Sequence, residues 1–196
     1  MIHFDPVEQP SDFDQEVRKP GLLWLETNPN AKRPKALWRP FRTHLATGFG
    51  QLCAYSAMYE PVGTVDHFVS WNEDKTKAYD WSNFRYAASW INSSKKSLPV
   101  AKILDPFQVQ DDWFELLLPS LQLTVTDATP QEFKERAKFV LRRLHLRDDH
   151  RIMKQREEWY HMYQNGEINL EGLEKKAPLI ARAVRKEIKW QVASGK

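Results

Sequence analysis

Apolar positions along this chain change period twice. Between Leu52 and Val69 they gather in two short runs of β-formers, Leu52 to Met58 and Thr64 to Val69, which predict two strands. The link Tyr59-Glu60-Pro61-Val62-Gly63 has the Pro and Gly of a tight turn, so the pair is expected to form a β-hairpin. Glu73 to Ala78 is polar and loop-like. Asp80 or Ser82 then offers a cap for a helix through Phe84, Tyr86, Ala87, Ala88, Trp90 and Ile91 to about Lys95. Lys102 to Phe107 reads as a short turn, and Trp113 to Leu118 with Leu121 to Val125 predicts a second hairpin around Pro119-Ser120.

From Thr129 the period becomes helical. Thr129-Pro130-Gln131-Glu132 has the form of a capping box with Pro at the first helical position, and Phe133, Ala137, Val140, Leu141 and Leu144 share one stripe. A second helix is expected from near Asp148, bearing Ile152, Met153, Trp159, Tyr160 and Tyr163, to a stop at Asn165-Gly166. Asn169 to Lys176 predicts a short helix, and Pro178 opens a last one carrying Leu179, Ile180, Ala183, Val184 and Ile188. Upstream, Leu37, Trp38, Phe41 and Leu45 have helical spacing. The first thirty residues, with Pro6, Pro10 and Pro20, are expected to be extended, Val7 to Leu25 wrapping the body. The expected class is α+β. Three segments follow: residues 1–49, an N-terminal extension with a basic helix; 50–97, a central strand-strand-helix core; and 98–196, a hairpin with a helical C-terminal region.

Composition sets bounds on this picture. At 196 residues, 41% apolar and 28% charged, the chain suits one or two small globular domains. It has no run of eighteen apolar residues and its start lacks a secretory pattern, so a cytoplasmic location without a membrane partner is expected. Its one cysteine excludes an intrachain disulfide. Residues 1–30 hold six acids and two bases, whereas 31–50 hold Lys32, Arg33, Lys35, Arg39 and Arg42 and no acid. That basic stretch reads equally as a phosphate-contacting segment and as a solvated helix face. His145, His150 and His161 share no ligand spacing with a Cys or Glu cluster. Asp105, Asp111 and Asp112 read as turn and capping residues.

The candidate chemistry lies in the central segment. Asp66-His67 ends the second predicted strand, Asn83 precedes the predicted helix, and Asn92 and Lys95 lie on it. Hydrolysis of a phosphodiester needs a base able to take a proton near neutral pH, which an imidazole supplies. It also needs positive charge beside the departing oxygen, which a hard cation on oxygen ligands supplies.

These residues, in this order, resemble the HNH endonucleases and their ββα-metal fold. The resemblance covers about Gly50 to Ser97. It implies that Asp66 and Asn92 hold one divalent ion, Mg²⁺ or Mn²⁺, that His67 is the general base, and that Asn83 braces the loop and the histidine; Lys95 is expected to steady the phosphate. Many such proteins carry a structural zinc on two Cys-x-x-Cys pairs. The corresponding positions here are Cys53, Ser56, Ala88 and Ile91, so no structural zinc is expected and packing takes its place. The longer pattern, with Trp81-Ser82-Asn83 before the helix and Leu104-Asp105-Pro106 after it, is similar to small HNH proteins of Septu-type and retron-associated antiphage defence systems. That similarity implies an ATPase partner, since the chain has no Walker loop of its own, with Trp159, Tyr160, Tyr163 and Trp190 as a docking surface or simply as core. The expected substrate is DNA, with RNA as the alternative. The competing expectation is an inactive HNH-derived module that binds nucleic acid or a partner.

Overall fold

A computed structural model describes residues 1–195 and shows an α+β chain with two small antiparallel sheets. In order, the elements are α1 (Lys19–Thr27), α2 (Arg42–Gly48), β1 (Thr64–His67), β2 (Phe84–Ala87), α3 (Ser89–Lys95), β3 (Phe114–Leu117), β4 (Gln122–Val125), α4 (Gln131–Arg143), α5 (His150–Gln164), α6 (Leu170–Lys176) and α7 (Pro178–Ser194). Among the described residues no helix is long and apolar enough to cross a membrane.

The central unit keeps the order strand, strand, helix, but its strands are not the expected ones. β1 pairs with β2, in a register that sets Asp66 opposite Arg85 and His67 opposite Phe84. Phe84 to Ala87, expected to be the first turns of a helix, is a strand buried at every position. Its aromatic and β-compatible side chains fit a two-sided interior slot, and tertiary burial outweighs the local cap signal. The helix begins only at Ser89, without a side-chain cap. Leu52 to Met58 is not a strand: Ala57 has a positive φ (54°), which breaks an extended run, and Gln51 just before the segment has one too (58°). The segment folds on itself through Ala57 N–H to the Cys53 carbonyl, and meets β2 through a bond from Ala54 N–H to the Tyr86 carbonyl (2.8 Å).

Cys53, Ser56, Ala88 and Ile91 are all buried, and the Ala88 N–H points at Cys53 Sγ (3.3 Å). β2 is tied to the next segment by Arg85, whose guanidinium grips Asp105 bidentately (2.8 and 2.7 Å) and lies 3.6 Å from the centre of the Phe107 ring. Asp105 also caps its own turn through Phe107 N–H.

The first ten residues have no regular structure, yet Met1, Ile2 and Phe4 are buried; residues 14–27, expected to be extended, are helical instead and place Val17 in the core beside Phe13. The basic stretch forms turns and then a single 3₁₀ turn, Arg39–Phe41, that leads directly into α2 at Arg42; Leu37 and Trp38, expected to be helical, stay outside it. α2 packs on the β1–β2 pair and α3 on β1. In the C-terminal region β3 pairs with β4, α4 covers β4, and α7 packs on β3 and α6. The capping box at Thr129 does not form: Pro130 is the cap residue and Thr129 Oγ1 donates to the Trp113 carbonyl (2.9 Å), joining the helix to the hairpin. Asp149 and Asn169 do cap α5 and α6. Arg156 of α5 is buried and donates to the carbonyls of Leu121, Leu146 and Arg147, which stitches hairpin, loop and helix together. Burial pushes its pKa down to about 10, so it stays charged at neutral pH. Trp159, Tyr160 and Tyr163 are half-buried against the core, whereas Trp190 is 55% exposed.

Candidate functional site

β1 carries Asp66 and His67 to the rim of a pocket of about 540 Å³. Asn92, on the second turn of α3, lines the same pocket, and so do Arg33, Lys35, Arg39 and Lys96. Asn83 and Lys95 do not.

Asp66 is 2% exposed, and both its oxygens are engaged. Tyr55 donates its hydroxyl to Oδ2 at 2.6 Å, and the Lys95 ammonium stands 3.1 Å from Oδ1. Burial, and then the charge of Asp66, push the Tyr55 phenol well above its ordinary range, so it remains a donor at any physiological pH. Each carboxylate oxygen has a second lone pair still available.

Lys95 is placed differently from the expectation that it steadies a phosphate. Its side chain is fully buried, and its ammonium donates to the carbonyls of His67 (2.7 Å) and Phe68 (3.2 Å) besides pairing with Asp66. All three donors of an ammonium are used in fixing the end of β1. Lys95 is a positioning residue; the neighbouring Lys96, exposed, is the one that reaches the pocket.

His67 sits edge-on between Trp38 (4.6 Å between ring centres) and Phe84 (5.1 Å). Its Nε2 lies 2.9 Å from the Ala78 carbonyl, which can only accept, so Nε2 carries the proton and Nδ1 a lone pair. Burial lowers its pKa below the usual 6.5, more than the Ala78 bond and the charge of Asp66 raise it. The ring is therefore neutral at pH 7 while still reaching the pocket.

Asn83 is buried and holds the excursion between β1 and β2. Its Oδ1 accepts from Val69 N–H (2.7 Å), and its Nδ2 donates to the carbonyls of Val69 and Lys77 (both 3.0 Å). Lys77 immediately precedes the carbonyl on which His67 rests. The carboxamide acts on the imidazole through one peptide unit.

Asn92 Nδ2 donates to the Val65 carbonyl (3.3 Å), which turns the amide nitrogen toward β1 and keeps its carbonyl oxygen as a donor atom for a ligand. Among the described residues no group of three or more His, Cys, Asp or Glu side chains is arranged to hold a metal. A hard ion here would rely on one carboxylate, Asp66, and one carboxamide oxygen, Asn92, with water completing its shell, a set that suits Mg²⁺ and does not suit zinc.

Sequence reasoning misses Tyr55, Trp38, Ser70 and Trp71, the last three of which line the pocket. The basic residues 33–39 are held beside His67 because Tyr79 donates to the Lys35 carbonyl (3.0 Å) and Lys75 to the Pro29 carbonyl (2.9 Å). Nothing local encodes that arrangement; the absence of acids from residues 31–50 is the one signal that could have pointed to it. In comparisons with known proteins the chain matches no family model and no curated protein.

Proposed function

We propose that this chain is an HNH-type endonuclease, whose β1–β2–α3 unit is a ββα-metal core that hydrolyses a phosphodiester bond of nucleic acid, DNA in the first place, in the cytoplasm. The observation that supports this most is that Asp66, His67 and Asn92 share one pocket with four exposed cations, Arg33, Lys35, Arg39 and Lys96. A neutral imidazole, a carboxylate and a positive rim are the parts that attack on a phosphodiester requires.

His67 Nδ1 takes a proton from a water molecule as the water oxygen bonds to phosphorus. The bond from phosphorus to the 3′ oxygen breaks, and that oxygen acquires a proton from solvent, leaving a 3′ hydroxyl and a 5′ phosphate. The Ala78 carbonyl holds the imidazole in the required tautomer and stabilises the imidazolium that forms. Lys95 and Tyr55 fix the Asp66 carboxylate, and Arg33, Lys35 and Arg39 draw in the phosphate backbone. A divalent ion held by Asp66 and Asn92 would supply the charge that neutralises the departing oxygen.

The test is plasmid nicking by the full chain with Mg²⁺ or Mn²⁺, alongside His67→Ala. Ion-dependent nicking that His67→Ala loses by about a hundredfold or more is expected for removal of a general base. Undiminished nicking by His67→Ala overturns the reading, and so does a wild type that cleaves neither plasmid nor single-stranded substrate, alone or with an ATPase subunit. One observation favours the second reading, a non-cleaving nucleic-acid-binding module: Asp66 is already neutralised by Lys95. Binding without nicking is its signature. An ATPase partner, as in the defence systems that the sequence resembles, belongs to the same proposal, and recovery of nicking on adding such a subunit would reveal it.

A further inference from the structure

The pocket contains more than the cleavage reading uses. Its lining also includes Ser70 and Trp71, at the start of the excursion between β1 and β2. Trp71 is half-buried, with the Lys75 ammonium 5.3 Å from its ring centre. Ser70 is 5% exposed, and its hydroxyl is the one buried side-chain oxygen or nitrogen without a hydrogen-bond partner among the described residues. A buried hydroxyl left unpaired costs free energy, and such groups mark places where a ligand completes the bonding. Arg33, Lys35, Arg39 and Lys96 likewise have no acidic partner among the described residues.

We propose that this pocket takes single-stranded nucleic acid, its phosphates against Arg33, Lys35, Arg39 and Lys96, and one base on the Trp71 ring with a polar edge bonded to the Ser70 hydroxyl. The inference rests on the cleavage reading for the fate of the strand, but not for its binding. Asp66, 2% exposed, and the half-buried His67 line the same pocket as the four cations and Trp71, so a backbone that reaches them passes beside both the cations and the ring. In a duplex the bases are stacked inside and a wall tryptophan meets none of them without unstacking, whereas a single strand offers its bases at little cost. Cations that follow the backbone with an aromatic ring for a base are the usual means of holding a single strand.

The experiment measures binding of fluorescein-labelled single-stranded DNA, the matching duplex and single-stranded RNA to the full chain, in EDTA, over a salt series. Either single strand should bind at least about tenfold tighter than the duplex. Trp71→Ala should weaken single-strand binding by about tenfold without changing the salt slope, and Trp71→Phe should restore most of it. Arg39→Gln should lower the slope of log K against log salt by about 0.7, one phosphate contact on a single strand. Circular dichroism establishes that each variant is folded; should Trp71→Ala not fold, Ser70→Ala and Arg39→Gln carry the test. Duplex binding as tight as single-strand binding, or a folded Trp71→Ala that binds like wild type, overturns the inference. With Mg²⁺ present the two readings part. Nicking of duplex unaffected by Trp71→Ala sinks the single-strand inference and leaves cleavage standing, while Trp71-dependent single-strand binding with no cleavage of any substrate sinks cleavage alone.

Discussion

Lys95 and Asp66 form an ion pair at 3.1 Å in which neither side chain has appreciable access to water. The same ammonium holds two carbonyls at the end of β1, so the pair joins α3 to the strand that carries the candidate base. Removing one partner of such a pair strands the other as a buried, uncompensated charge. Lys95→Met should therefore destabilise the chain by about 3–5 kcal/mol. Urea unfolding followed by circular dichroism measures it, and a loss under about 1 kcal/mol would show that β1 and α3 are held by other means.

Asn83 acts at a distance from the pocket. Asn83→Ala deletes three bonds to backbone groups, at roughly 1 kcal/mol each, and should cost about 2–3 kcal/mol. The sharper readout is local. Amide exchange should accelerate across residues 69–78, and nicking should fall by more than nucleic-acid binding does, because the Ala78 carbonyl no longer holds the imidazole. Unchanged exchange in that segment would remove Asn83 from its bracing role.

Tyr55→Phe keeps the ring and removes only the hydroxyl that donates to Asp66. No cavity of consequence forms, so the expected loss of about 1.5–3 kcal/mol reports one hydrogen bond to a charged acceptor. Divalent-ion dependence of nicking should shift as well, since the carboxylate loses one of its two restraints. Wild-type stability and an unaltered ion titration would together argue that Lys95 alone positions Asp66.

If the chain nicks as proposed, its pH dependence should have a definite direction. His67 has a folded pKa below 6.5, so the base is already deprotonated at pH 6.5 and the acid limb of the rate profile should fall below that value. Stability follows the same sign. The folded ring binds a proton less readily than the unfolded one, so this contribution is fully favourable above 6.5 and declines as pH falls toward the folded value. Comparison of rate profiles and unfolding midpoints between wild type and His67→Gln isolates both effects. An acid limb above 6.5 would contradict the buried, neutral ring.

Some elements can be read directly from the sequence and others cannot, and the dividing line is physical. α5, α6 and α7 follow from Asp149, Asn169 and Pro178, whose capping and φ preferences act within one turn. The β3–β4 hairpin follows from two alternating runs about a short link. β2 does not, because Phe84 to Ala87 lies beside a cap-like Asp80 and Ser82, and only its burial against α2 and β1 decides for a strand. The expected hairpin partner, Leu52 to Met58, has strand composition but turns at Gln51 and Ala57. Asp66, His67 and Asn92 meet in one pocket because each belongs to the strand-strand-helix order that the sequence suggests. Tyr55 and the Arg33–Arg39 rim lie upstream of that unit and outside its strands and helix, and their place depends on contacts such as Tyr55 with Asp66 and Tyr79 with Lys35 that no local pattern encodes.

The grip of Asn83 on Val69 and Lys77 has a further consequence. Those two anchors close off the turn between them, so the turn's length and composition can vary without any movement of the strand ends on either side. Trp71 lies inside that closed segment and His67 outside it. Grafting foreign turns between the anchors should therefore change what the pocket accepts while sparing the candidate base, which makes this stretch a natural place to redirect the molecule.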